Sequence, residues 1–305
     1  MTRINDSAYA TPHVVVDCMR LAVHAAFPLI PTGTSCRSLH YDWVGPITKG
    51  RSWPVAWPGV NMPLEETYYE INRILGNNAE PLESVRLVEA YRRYLKPETV
   101  RVVLLAESHV FTSDEDRRIA IPPIDDLPGY PTQYARFVYC LGNGERDLTN
   151  DPRHPRRDGT PQFWKILYAC DNRIENLEDF RPVQRGTSFP QRLRNKIHLL
   201  KNLRAKEIWL VDASIVAVYG NGVNVSRRIR TEVLRKSWES YTKLVVISVN
   251  PERVICVGKG VARVVENDLQ ALFPGRYEVI PQPNARLSSE EHIANFQRYF
   301  EFCCS

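Results

Sequence analysis

Two short segments, far apart in the chain, carry the side chains best suited to chemistry. Val102-Val103-Leu104-Leu105-Ala106 runs into Glu107-Ser108-His109, and Tyr277-Glu278-Val279-Ile280 runs into Pro281-Gln282-Pro283-Asn284-Ala285-Arg286. Each reads as a buried strand ending in a polar loop. In a parallel α/β sheet such loops gather at the carboxyl ends of the strands, where ligands bind. Glu107 can serve there as a general base or as an electrostatic stabiliser of developing positive charge; it can equally pair with a lysine or accept from loop amides. His109 can carry or share a proton near neutral pH, or be a satisfied loop histidine. Asp212 follows the apolar run Ile208-Trp209-Leu210-Val211, so partial burial is expected, and a buried carboxylate is costly without a partner. It either reads a ligand through its acceptors or caps the loop or pairs with an arginine.

Phe137 and Tyr139 belong to the aromatic segment Tyr134 to Tyr139; they can form a surface for a base to stack on or sit in the core. Arg181, Arg185, Arg192, Arg194, Lys196, Lys201, Arg204 and Lys206 occur with no acidic residue among them, and Arg227, Arg228, Arg230, Arg235 and Lys236 form a second group. A solvated helix face is one reading of such runs; the missing acids favour phosphate contacts. Asp151-Pro152-Arg153-His154-Pro155-Arg156-Arg157 is a further basic loop, and Gly258-Lys259-Gly260 is suggestive of either phosphate binding or tight strand–helix packing.

The elements that must position these residues are legible from the pattern. Val85, Leu87, Val88, Tyr91 and Leu95 recur near helical spacing after Pro81, and Lys96-Pro97 ends that helix. Phe189 to Arg204 and Arg230 to Ser248 read as helices, with Asn250-Pro251 closing the second. Glu207 to Val218, Arg253 to Gly258 and Tyr277 to Ile280 read as strands, and Ser288 to Phe300 as the last helix. Helices alternating with short apolar strands mean a largely parallel sheet covered on both faces. Residues 1–80, with Trp53-Pro54 and Trp57-Pro58 and one candidate helix at Val14 to Ala26, are expected to form an elaboration packed on a catalytic domain at 81–305.

At 305 residues, 43% hydrophobic and 25% charged, the chain has the composition of an ordinary globular protein. Its formal charge of +5 permits a polyanionic partner without requiring one. The seven cysteines form no CxxC and no zinc-ligand spacing, so no metal is expected. No membrane-length apolar run and no signal-like N-terminus are present, and a cytoplasmic, monomeric protein off the membrane is expected.

In order and spacing of elements, Pro81 to Phe300 resembles the uracil-DNA glycosylase superfamily. Ala106-Glu107-Ser108-His109 takes the place of its first motif, with Glu107 as the acidic form, Ser108 at the water-activating place and His109 replacing a proline. Ile280-Pro281-Gln282-Pro283 keeps the Pro-X-Pro skeleton of the second motif, with Ile280 in place of its histidine. Trp209-Leu210-Val211-Asp212 resembles the strand that presents an asparagine to uracil. The resemblance implies a three-layer α/β/α sandwich around a mostly parallel four-stranded sheet, DNA as partner, and no cofactor. It implies Glu107, Ser108 and His109 as catalytic residues and Asp212, Phe137 and Tyr139 as base-recognition residues. Gln282, Asn284, Arg286 and Leu287 would contact DNA, with Arg286 or Leu287 as the wedge.

The expected activity is hydrolysis of an N-glycosidic bond in a flipped nucleotide, leaving an abasic site. Asparagine offers uracil a donor and an acceptor, whereas an ionised aspartate offers acceptors only. A cytosine-like, modified base is therefore expected rather than plain uracil, in the setting of defence against viruses with modified DNA. Two other readings stand beside this one: a nucleic-acid-binding protein on the same fold without catalysis, favoured by Ser108 and the absent motif histidine, and an α/β hydrolase of free nucleosides.

Overall fold

The computed structural model describes residues 64–155, 158–219 and 225–304. The candidate helix at Val14 to Ala26 and the two Trp-Pro pairs lie outside these residues, as do Arg156 and Arg157 of the basic loop.

Four strands, β1 (Val102–Ala106), β2 (Ile208–Asp212), β3 (Arg253–Val257) and β4 (Tyr277–Ile280), form one sheet in the order β2-β1-β3-β4, with every pairing parallel. The fold is α/β. All five β1 side chains are fully buried, as a strand with neighbours on both sides and helices over both faces requires. Ten α-helices accompany the sheet among the described residues: α1 (Leu64–Leu75), α2 (Leu82–Tyr94), α3 (Asp114–Arg117), α4 (Arg146–Thr149), α5 (Pro161–Asp171), α6 (Phe189–Ala205), α7 (Arg227–Ser237), α8 (Lys243–Val249), α9 (Lys259–Leu272) and α10 (Ser289–Cys304). One set packs α5 against α6 and α10; the other packs α7 against α1 and α9. None of the described helices is long and apolar enough to cross a membrane.

Four of these α-helices went unread in the sequence: the single turns α3 and α4 and the longer α1 and α5. Helix α1 buries Tyr68, Ile71 and Leu75 and belongs to the same compact unit as the sheet. Helix α5 starts on Thr160-Pro161, proline being suited to the first helical turn. The helix read from Arg230 to Ser248 begins at Arg227, where Ser226 caps it. It passes through five π-helical residues, Trp238–Thr242, and ends as Asn250 turns left-handed. The run Glu207 to Val218 is strand only to Asp212, since the Ser214 hydroxyl bonds the Val216 backbone and turns the chain.

From β1 the chain moves to β2 at one side and then crosses to β3 on the other. The carboxyl ends of β1 and β3 therefore flank a topological switch point, the place where open parallel sheets form a crevice.

Candidate functional site

A cleft of about 700 Å³ opens at that switch point. Its walls come from Glu107 after β1, Gly258 and Lys259 after β3, and Pro281 and Gln282 after β4. Asn284, Arg286 and Leu287 line it as well, so the structure brings together Glu107 and all four residues expected to contact DNA.

The cleft is cationic. Arg227, Arg230, Lys259, Arg263 and Arg286 line it, against one carboxylate, Glu107. Among the described residues Arg227, Lys259, Arg263 and Arg286 have no carboxylate partner. Lys259 opens α9 with Arg263 one turn further on, Arg227 and Arg230 lie in the first turn of α7, and neither helix has an acidic residue in its first turn. Positive charge at a helix N-terminus opposes the dipole, so both ends add to the field that attracts an anion. The basic run on α6 differs: Arg192 and Lys196 bury their charges on Glu145 at 2.6 and 2.7 Å, while Lys201 meets Asp126 and Lys206 meets Asp171. Acids missing from that run in sequence are supplied by other segments.

Gly258 makes the close approach of two walls possible. Its φ of +100° lies in the left-handed region, and a Cβ there would stand 2.8 Å from Gln282 Cγ. The Gly258 N–H donates to Ile280 O, joining the β3 and β4 loops.

Glu107 is half-buried and held from one side. Tyr219 Oη donates to Glu107 Oε2 at 2.8 Å, and Arg230 Nη1 donates to Tyr219 Oη at 2.8 Å. The Arg230 guanidinium also lies over the Tyr219 ring, 4.7 Å from its centroid. Burial and the Glu107 carboxylate raise the Tyr219 phenol above its usual pKa, so it remains a donor. The backbone is pinned too: Ser214 N–H donates to Glu107 O and Phe111 N–H to Tyr219 O. Ser108 spends its hydroxyl on backbone groups, donating to His109 O at 3.0 Å and accepting from Val218 N–H in the loop after β2 at 3.4 Å.

His109, Asp212, Phe137 and Tyr139 do not line the cleft; they belong to a buried network. Arg92 Nη2 donates to Asp212 Oδ2 at 3.0 Å, and Arg92 Nη1 to Glu89 Oε2 at 2.6 Å. Tyr241 Oη also donates to Glu89. His109 Nε2 lies 2.6 Å from Glu80 Oε1, while Nδ1 is 3.5 Å from Asp212 Oδ2, too long for a good hydrogen bond. Burial opposes the imidazolium, yet Glu80 and then Asp212 outweigh it and raise the His109 pKa to about 9. Protonated His109, Arg92 and Arg93 thereby balance Glu80, Glu89 and Asp212, the pairing that buried charges require. Phe137 packs edge-on to His109 and Tyr139 and lies under the Arg92 guanidinium. Tyr139 Oη accepts from the Leu210 N–H on the outer strand β2. In the structure both rings are core, and their segment is a turn rather than a strand.

Sequence reasoning passed over Tyr219, Arg263, Arg92 and Glu80. Glu80 is fully buried and accepts from Ala217 N–H at 2.6 Å as well as from His109. It thus ties the loop after β1 to the loop after β2. Nothing in its neighbourhood, Asn-Ala-Glu-Pro, signals this. Arg263 was findable, since it lies one turn after Lys259. Among the described residues no group of three or more His, Cys, Asp or Glu is placed to hold a metal ion. Compared with known proteins, the chain matches no protein-family model, no curated protein and no solved structure.

Proposed function

We propose that the protein is a DNA glycosylase on a three-layer α/β/α fold of the uracil-DNA glycosylase type. It hydrolyses the N-glycosidic bond of an extruded base and leaves an abasic site without a cofactor. The cytosine-like preference expected from Asp212 is not carried by the site, because Asp212 is engaged by Arg92 and does not line the cleft. The observation that carries this reading is Glu107, a lone carboxylate presented at the carboxyl end of β1 within a cleft whose other charged residues are all cations. Phosphates bind the basic walls, and the carboxylate faces the reacting sugar. The C1′–N bond breaks with its electron pair leaving on the base. Water adds at C1′ and passes its proton to Glu107, whose charge also favours the oxocarbenium character that develops. Asn284, Arg286 and Leu287 stand beyond the Pro281-Gln282-Pro283 turn, where a wedge would fill the gap left by the extruded nucleotide.

Asp212 enters this scheme as a support. Its acceptors are engaged by Arg92 and face His109, so contact with a base falls to the amides on the cleft wall, Gln282 and Asn284. The test is abasic-site formation on DNAs carrying uracil, thymine mismatches, hypoxanthine, 5-hydroxymethylcytosine or its glucosylated form. Cleavage of one substrate, lost in Glu107→Gln, supports the proposal; selectivity for bulky modified cytosines would fit a role in defence against viruses with such DNA.

One observation favours a second reading, a nucleic-acid-binding protein without catalysis. The residues expected to recognise a base are closed into the core, and the Ser108 hydroxyl is committed to backbone groups of its own loop and of the loop after β2. DNA binding with no abasic product on any substrate, unchanged by Glu107→Gln, would decide for it.

A further inference from the structure

Phe137 and Tyr139 are buried, so a base entering the cleft needs another aromatic surface. Among the described residues Tyr219 is the aromatic side chain that lines the cleft, and it is 43% exposed where most of the described rings are closed into the core. Its setting is that of a fixed surface rather than a stray ring. The hydroxyl is held at both lone-pair and proton, accepting from Arg230 and donating to Glu107. Arg230 lies over the ring, and both residues line the cleft. An aromatic ring fixed in advance loses little conformational freedom when a base stacks on it. An arginine over the ring adds a cation–π contribution to such a stack.

We infer that Tyr219 is the stacking surface for an unpaired nucleobase. The ligand class is a nucleotide unit within a strand, with its base on Tyr219 and its phosphates on the basic walls formed by Arg227, Lys259 and Arg263. This rests on the nucleic-acid reading of the cleft. The contact places the base beside Glu107, since the phenol and that carboxylate are 2.8 Å apart. Tyr219 therefore does two separable things: its ring binds the base, and its hydroxyl orients Glu107.

The experiment compares two single-stranded oligonucleotides of equal length, one with normal bases and one built of tetrahydrofuran abasic spacers. Both carry the same phosphates, so their difference in affinity isolates base contact. The wild-type protein should favour the strand with bases by roughly tenfold, the size expected for one stacked base. Tyr219→Ala should lose that preference and keep its affinity for the spacer strand. Tyr219→Phe should retain the preference, because the ring remains, and any base-release activity should fall as Glu107 loses its orienting bond. The spacer strand also reports folding of each variant, since the basic walls are untouched. A preference preserved in Tyr219→Ala overturns the inference and leaves the polyanion reading standing. Wild-type protein that binds neither strand at low salt overturns both.

Discussion

Glu107 and His109 lie two residues apart and have opposite fates. Glu107 reaches the cleft, while His109 turns into the core between Glu80 and Asp212. The difference has a measurable consequence. The His109 pKa is raised to about 9 in the fold, against about 6.5 in an unfolded chain. Its contribution to stability is therefore complete below pH 6.5 and is lost as the pH rises through about 9. Integrated over that interval the loss is roughly 3 kcal/mol. Urea midpoints should fall across this range in the wild-type protein. His109→Gln should be less stable at pH 6 and nearly flat in pH; a wild-type midpoint that does not change between pH 6 and 9.5 would contradict the pairing.

At the scale of elements, the cleft depends on how closely the loops after β3 and β4 approach. Gly258 supplies both a left-handed backbone and room for Gln282. Gly258→Ala should cost about 1–3 kcal/mol, read from thermal or denaturant melts, and should weaken DNA binding by displacing Lys259 and Gln282. Unchanged stability and binding would mean that the two loops adjust freely.

The same scale shows what the sequence could reveal. All four strands were readable because each is a short apolar run bounded by polar residues, and β1 and β3 were placed almost to the residue. The cleft residues Glu107, Gln282, Asn284, Arg286 and Leu287 were readable because strand-end loops in a parallel sheet must meet. What could not be read is which strand-end side chains turn inward. That depends on partners distant in sequence: Arg92 for Asp212, Glu80 for His109, and the outer-strand N–H of Leu210 for Tyr139. Tyr219 was hidden for a related reason, since its role comes from Arg230 and Glu107 reaching it from other elements.

For the whole molecule, a net charge of +5 says little, but its distribution says more. The α6 cations are largely matched by carboxylates, whereas the cations at the starts of α7 and α9 are left to the cleft. Binding to single-stranded DNA should weaken as salt rises, with a log–log slope that grows by about 0.7 per phosphate neutralised. Replacing Arg227 and Arg263 together by glutamine should reduce that slope by about 1 to 1.5. The equivalent pair of changes at Lys201 and Lys206, each paired with a carboxylate, should leave it almost unaltered. Equal effects from the two pairs would show that DNA is held by a diffuse basic surface instead of the cleft.

The central claim is that this cleft performs hydrolysis through Glu107, and single-turnover base release tests it most directly. Enzyme would be held in saturating excess over a DNA carrying glucosylated 5-hydroxymethylcytosine, with wild-type protein and Glu107→Gln compared at equal occupancy. The account predicts free base and an abasic strand from the wild type. It predicts a rate lower by about 10²- to 10⁴-fold in the variant, with DNA affinity changed little. Release at the same rate by both proteins, or none by either on this and the other candidate bases despite full binding, would contradict it.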